Sequence, residues 1–248
     1  MKTIVTLTSF PKRMYFVPQV LRSIYAQTQR PDIVVLHLSE AEYPAGQVPA
    51  EVQPFVTGEG LELRWHSSNE RQWKKLIPTM MEWPDGEIVS IDDDIIYPPY
   101  FVARITAELR ANGHTCPVTC GHIRWPNYGG IKTHYGCFTA TMAKFHAPYV
   151  FELYDRDIRP IALDETVASF DDELYTHTAL MNGILYQGSS MDLNNLRSIN
   201  RLPGPISHGV TWRDDFDRWN TFVHDLISHR YGIDTRARAR QLMKNHDR

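Results

Sequence analysis

The stretch Glu87-Ile88-Val89-Ser90-Ile91-Asp92-Asp93-Asp94-Ile95-Ile96-Tyr97-Pro98 is a short apolar strand that runs into three consecutive carboxylates and stops at Pro98-Pro99. Ile88, Val89 and Ile91 read as a buried strand, and the carboxyl ends of such strands are where open α/β sheets bind ligands. In an extended chain side chains alternate, so Asp92 and Asp94 share one side and Asp93 takes the other. Two carboxylates about 5 Å apart at an effective dielectric of about 20 repel by about 3 kcal/mol, and a cation is the simplest remedy. Mg²⁺ takes carboxylate oxygens together with substrate phosphates, and Mn²⁺ also suits oxygen ligands. The competing use of an Asp run is a solvated turn or a helix cap. Here the helix would run from about Pro99 to Ala111, with Asp94 near its start.

Working outward, Ile4 to Phe10 has the β-branched content of a strand that Pro11 ends. Val17, Val20, Leu21, Ile24 and Tyr25 fall at helical spacing over about Val17 to Gln27, and Ile33 to Leu38 is a second apolar run. This β-α-β opening predicts parallel strands joined by a right-handed crossover. Thr8, Ser9, Lys12 and Arg13 then lie just past the first strand, at the ligand edge. Glu40 to Gly60 reads as a loop with a short helix near Glu51 to Val56, and Leu61 to Trp65 as a third strand. The helix from Arg71 to Met81 carries Lys74 and Lys75 near its start, where cations work against the helix dipole unless a phosphate or an acid compensates.

Beyond the acids, Cys116 to His122 is expected as a strand, Trp125 to Gly130 as an aromatic loop, and Tyr135 to Met142 as a strand opened by glycine. A second acidic cluster, Asp171-Asp172-Glu173, heads a helix carrying Leu174, Ala179, Leu180 and Ile184 and closing near Gly183. Capping by Asp171 or Asp172 explains one carboxylate and not three. Burial of one acid beside others raises its pKa, which a general base needs in moderation. Asn194 to His208 reads as a polar loop able to fold over a substrate. A helix follows with Trp219, Phe222, Val223, Leu226 and Ile227 on its apolar side. His208, His224 and His229 are candidate metal ligands, each singly more often a surface or satisfied histidine.

The chain of 248 residues is 42% hydrophobic and 22% charged, ordinary for a globular protein with a sizeable core. A net charge of -3 gives no basic field for nucleic acid. Cys116, Cys120 and Cys137 are an odd number in a long chain and do not make a disulfide framework. No apolar run reaches the length of a membrane span, and Met1 leads directly into a strand, so a cytoplasmic location is expected. Arg236, Arg238, Arg240 and Lys244 form a solvated helix face, and a peripheral contact with an anionic membrane surface is its other use.

Taken together, the β-α-β start ending in Thr8-Ser9-Phe10-Pro11-Lys12-Arg13, the Lys74-Lys75 pair, Asp92-Asp93-Asp94 after an apolar strand and the later Asp171-Asp172-Glu173 helix resemble a glycosyltransferase. The match is to family 2-like enzymes of the GT-A fold, over roughly residues 3 to 184. The resemblance implies an α/β, Rossmann-like single domain with a mostly parallel sheet flanked by helices. Its core would span 1–184, with the nucleotide part about 1–110 and the acceptor part about 111–184, followed by a loop and helical extension over 185–248. It further implies that Thr8, Ser9 and Arg13 meet the nucleotide and that Lys75 faces the base or phosphates. Asp92, with Asp93 beside it, would contact the donor's ribose, and Asp94 would bind Mn²⁺ or Mg²⁺ across the diphosphate. Asp172 would be the base, with Asp171 and Glu173 as rivals, and His208 a further metal contact. The donor would be a nucleotide-sugar, a UDP-sugar first among them, and the acceptor a saccharide or glycolipid. The alternatives are a nucleotidyltransferase, whose glycine-rich first loop is missing here, and a non-catalytic carbohydrate-binding scaffold.

Overall fold

The computed structural model describes residues 1–43, 46–111, 113, 115–118, 121–124, 133–136, 139–164, 170–191, 197–199 and 212–246. Strand β1 (Thr3–Thr8), helix α1 (Val17–Tyr25) and strand β2 (Ile33–Ser39) make the β-α-β opening, with β1 and β2 parallel and Val5 opposite Val34. Pro18 sits in the first turn of α1, where its missing N–H costs nothing, and Val17, Val20, Leu21 and Ile24 are buried in one stripe. The short helix α2 (Gln53–Gly58) leads to β3 (Glu62–His66), parallel to β2. Helix α3 (Trp73–Glu82) then returns the chain to β4 (Glu87–Ser90), which pairs parallel with β1 on its other side. The reversal of strand order between β1 and β4 makes a switch point, and open α/β sheets bind ligands beyond the carboxyl ends of the strands at such a point.

After the two-residue β5 (Ile95–Ile96), helix α4 (Phe101–Ala111) packs against β4 and the strands beyond it. The single strand expected over Cys116 to His122 is two, β6 (Thr115–Val118) and β7 (Gly121–Arg124). The strand expected over Tyr135 to Met142 is likewise β8 (Thr133–Gly136) and β9 (Thr139–Thr141). The chain changes sheets at both places. Strands β7 and β8 pair with each other, Gly121 opposite Gly136, while β6 and β9 enter the central sheet. Glycine at such a corner frees the backbone to leave one ladder for another.

Two short helices, α5 (Tyr149–Leu153) and α6 (Arg159–Ala162), are joined by a π-helical turn over Tyr154–Ile158. Helix α7 (Asp171–Met181) is buried on nearly every side. Strand β10 (Leu185–Gly188) joins the sheet beside β6, so the central sheet continues past residue 184. Strand β11 (Arg197–Ser198) pairs antiparallel with β5, and helices α8 (Trp212–Tyr231) and α9 (Thr235–His246) close the chain. The seven-stranded order is β10-β6-β9-β4-β1-β2-β3, with β9 alone running against its neighbours. Helices flank this mostly parallel sheet, as the sequence predicts. Trp219, Val223 and Ile227 of α8 are buried, whereas Arg238, Arg240 and Lys244 of α9 are exposed. Among the described residues no helix is long and apolar enough to cross a membrane.

Candidate active site

The ladder between β1 and β4 ends where Ile91 N–H donates to the Thr6 carbonyl at 2.9 Å. The next N–H, that of Asp92, turns away to the Tyr97 hydroxyl at 2.9 Å, which closes residues 92–97 into a turn. The alternation expected of an extended chain therefore does not hold. Asp93 and Asp94 converge on one guanidinium. Arg13 Nη2 lies 2.9 Å from Asp93 Oδ1 and also pairs with Asp94 Oδ2. Ser9 Oγ donates to Asp93 Oδ2 at 2.6 Å. Asp92 instead meets Lys75, whose Nζ is 3.0 Å from its Oδ1. Asp94 also lies apart from α4: Pro98 and Pro99 intervene and the Pro98 carbonyl accepts from Phe101 N–H, so Asp94 is not that helix's cap. Thr8 donates its hydroxyl proton to the His37 carbonyl at 2.8 Å, which ties the end of β1 to β2.

Burial pushes the Asp93 carboxyl up to about 6, and Asp92 and Asp94 add to the rise against the opposing pull of Arg13 and the Ser9 hydroxyl. Among the described residues, Asp93 and Asp94 thus pair with Arg13 and Asp92 with Lys75. Among the described residues no group of three or more His, Cys, Asp or Glu side chains is arranged to hold a metal ion. A hard divalent ion needs only one or two carboxylates when substrate phosphates complete its shell, and the oxygen donors of Asp93 and Asp94 suit that mode.

Helix α3 presents both lysines from its first turn, and each has an acid to offset the dipole. Lys74, almost wholly buried, donates to Glu42 Oε2 at 3.2 Å and to Asn69 Oδ1 at 3.0 Å. Burial lowers its pKa, with Glu42 opposing. Lys75 is fixed from behind as well, because Thr6 Oγ1 of β1 and Thr79 Oγ1 both donate to its carbonyl. Thr79 in turn bonds His37, which bonds His66, so a buried polar chain anchors α3 to β1, β2 and β3.

The second acidic cluster comes to the same place. Phe170, not an acid, occupies the N-cap of α7 and makes no side-chain cap hydrogen bond, so none of the three carboxylates stands at the cap position. Asp171 and Glu173 are buried, whereas Asp172 keeps part of its surface open. Burial raises the Asp172 carboxyl well above the usual range; Asp171, Glu173 and Asp92 add to the rise and Lys75 opposes it. The acids of α7 and those of the 92–97 turn therefore share one electrostatic site.

Several groups that hold this arrangement carry no sequence signal of their own. The Phe170 ring stacks on Trp219 of α8 at 4.2 Å and meets the edge of Trp73 of α3 at 5.2 Å, which locks the start of α7 beside Lys75. Glu70, ahead of α3, accepts from Ser68 Oγ, Tyr154 OH and Arg159 Nε. Arg71 adopts a left-handed backbone (φ 51°) and donates to the carbonyls of Ala162 and Asp164. Buried His146 joins Thr141 of β9 at 2.8 Å to Thr178 of α7 at 3.1 Å, and burial lowers its pKa to about 3, so it stays neutral. His224 bonds Thr235 and serves the packing of α8 on α9; His229 is exposed. His208, Cys120, Cys137, the 125–130 aromatic loop and most of the polar loop from Asn194 lie outside the described residues. Of that loop, the described Ile199 donates its N–H to the Asp94 carbonyl at 2.9 Å. Cys116 is buried and contacts Thr141, as a core residue would.

The architecture is the GT-A fold: a Rossmann-like, mostly parallel sheet with acids at the switch point. Solved structures of transferases share it. S. aureus TarS 1–349, in complex with UDP-GlcNAc, is similar over 98% of this chain and 70% of that one, with a TM-score of 0.60 and 14% identity. A mannosyltransferase from Pyrobaculum calidifontis in complex with GDP-Man and Mn²⁺ is similar over 77% of this chain, at a TM-score of 0.52 and 16% identity. This chain spans only 55% of that enzyme's length. Glucosyl-3-phosphoglycerate synthase from Mycobacterium tuberculosis, in complex with Mg²⁺ and UDP, is similar over 92% of this chain and 79% of its own, at a TM-score of 0.52 and 14% identity. No protein-family profile matches the chain, and no curated protein matches it in sequence.

Proposed function

We propose that the protein is a metal-dependent glycosyltransferase that moves a sugar from a nucleotide-sugar, a UDP-sugar first among them, to a hydroxyl of a saccharide or glycolipid with inversion. One observation carries the proposal: Asp172, a carboxyl with raised proton affinity, shares its electrostatic site with Lys75 and Asp92 at the β1–β4 switch point. The nucleotide-sugars and metals bound in the structural neighbours support the donor class.

In this mechanism Asp172 takes the proton of the acceptor hydroxyl. The freed oxygen attacks the anomeric carbon as the bond from that carbon to the diphosphate oxygen breaks. A single displacement from the face opposite the leaving group inverts the centre. Asp172 is a stronger base than a surface carboxylate because its neighbours raise its proton affinity, and it is the most open of the three acids at the start of α7. Lys75 and Arg13 oppose the negative charge that grows on the leaving diphosphate, and Ser9 and Thr8 line the edge where the nucleotide lies. Asp94, with Asp93, would hold Mn²⁺ or Mg²⁺, which supplies Lewis-acid stabilisation of the departing diphosphate.

The test is a thermal-shift and hydrolysis screen of UDP-, GDP-, CMP- and dTDP-sugars with Mn²⁺, Mg²⁺ or EDTA. A bound nucleotide raises the melting temperature by mass action. A metal-dependent rise with slow donor hydrolysis is expected, and silence across the panel under every metal refutes the proposal. Asp172→Asn should spare donor binding and cut transfer on the order of 10²–10⁴-fold. Asp94→Asn should abolish metal-dependent binding with the fold intact.

A further inference from the structure

Arg13 occupies the position where the proposed function calls for a metal. Its guanidinium reaches two carboxylates from a single nitrogen, Nη2, which contacts Asp93 Oδ1 and Asp94 Oδ2 together. The strong way for arginine to hold carboxylates is a fork with two parallel N–H donors, and Arg13 does not use it. Its Nε–H is buried without an acceptor. The side chain is nonetheless almost enclosed, at 11% exposure, against 7% for Asp93 and 15% for Asp94. The fold thus encloses an arginine that leaves a donor unsatisfied, which is a poor resting place for the most donor-rich side chain.

We propose that Arg13 is an internal counter-ion, displaced from Asp93 and Asp94 when a divalent metal and a nucleoside diphosphate bind together. The inference rests on the donor reading given above. A guanidinium nitrogen and a metal ion cannot both sit on the same carboxylate oxygens, so metal alone must evict Arg13 from both carboxylates without bringing it a replacement acceptor. The diphosphate supplies that acceptor: its oxygens match the guanidinium fork and leave no donor stranded. Metal and nucleotide therefore bind with positive coupling, and linkage requires the effect to be the same in both directions. Lys75 and Ser9 stay in place through the exchange, because Lys75 is anchored through its own carbonyl to Thr6 and Thr79 and Ser9 directly follows the last residue of β1. In the absence of ligand Arg13 offsets part of the charge of Asp93 and Asp94, which reduces the repulsion between these adjacent buried acids.

The experiment measures Mn²⁺ binding by electron paramagnetic resonance with and without UDP, in the wild type and in Arg13→Gln. Wild type is expected to bind Mn²⁺ weakly alone and at least about tenfold more tightly with UDP, a coupling of about 1.4 kcal/mol. Arg13→Gln is expected to bind Mn²⁺ alone about tenfold more tightly than wild type and to lose most of the gain from UDP. Equal affinity of the two proteins for Mn²⁺ alone, with UDP coupling intact in both, overturns the inference and leaves the donor reading standing. Absence of Mn²⁺-dependent UDP binding in wild type overturns the donor reading itself. Where Arg13→Gln does not fold, nitrogen-15 spectra of the wild type decide the matter. The Arg13 Nε–H resonance should shift on addition of Mg²⁺ with UDP, and an unmoved resonance at saturation refutes the displacement.

Discussion

Replacing Asp93 with Asn should stabilise the protein at neutral and alkaline pH and not at acid pH. The folded carboxyl titrates at about 6 and the ordinary value is 3.8. The folded state therefore holds the proton more tightly than the unfolded state, and between these two values it binds more protons. Stability consequently falls as pH rises through that window. The difference between 3.8 and about 6 corresponds to about 3 kcal/mol lost by the wild type between pH 3 and pH 8. Asn cannot ionise and escapes this loss. The quantity to measure is the stability of Asp93→Asn minus that of wild type, from urea unfolding at several pH values. Taking the difference cancels Asp172, which titrates in both proteins, and its change with pH cancels whatever packing change Asn itself brings. That difference should grow by about 3 kcal/mol from pH 3 to pH 8, most of it between pH 4 and pH 6. A flat difference would refute the argument that burial, opposed by Arg13 and Ser9, controls this carboxyl.

Other consequences concern the frame around the site. Glu87 is fully buried and held by a bidentate Arg110 and by the Thr3 hydroxyl, while Arg110 is 47% exposed. Arg110→Ala strands a buried charge and should cost about 3 kcal/mol in urea unfolding, whereas Glu87→Gln leaves an arginine free to hydrate and should cost about 1 kcal/mol; the reverse order would contradict the reasoning. A Cβ at Gly86 would overlap Cδ1 of the fully buried Ile4, so Gly86→Ala should lower stability by about 1–3 kcal/mol in the same assay. At Gly183 the backbone is left-handed (φ 77°) with space for a side chain, so Gly183→Ala should cost about 1 kcal/mol of backbone strain alone, with no change in donor binding by thermal shift.

The β-α-β opening was legible because Ile4 to Leu7, the stripe on α1 and Ile33 to Leu38 are local patterns, and parallel pairing follows from the short crossover. The acidic stretches were legible as chemistry but not as geometry. The alternation argument assumed that the strand continued through Asp94. Tyr97, five residues beyond Asp92, takes the Asp92 N–H and folds the run back on itself. Capping at α7 was misplaced for a related reason. Phe170 enters the cap position because its ring is gripped by Trp73 and Trp219, residues from distant parts of the chain that no local window contains. The helices over Tyr149–Ala162 had a signal in Val150, Leu153, Ile158 and Ala162, but Asp155, Arg156, Asp157 and Pro160 interrupt the pattern. The tie from Glu70 to Tyr154 and Arg159 could not be foreseen, since each partner alone is an ordinary surface residue type.

The antiparallel strand β9 bears on how the chain can be cut. It lies between β4 and β6, so the edge of β4 is covered by residues that come more than 40 positions later, Ala140 opposite Val89. A fragment ending after α4 would contain every residue of the acid turn and still expose a bare strand edge at Glu87–Ser90, whose four residues are all buried in the whole chain. Such an edge recruits any other extended segment, including a second copy of itself. Early and late parts of the chain are thus woven into one sheet. Truncations that end after α4 should aggregate rather than fold, and segment exchange with a protein of the same fold should succeed only if the crossover is placed beyond β10.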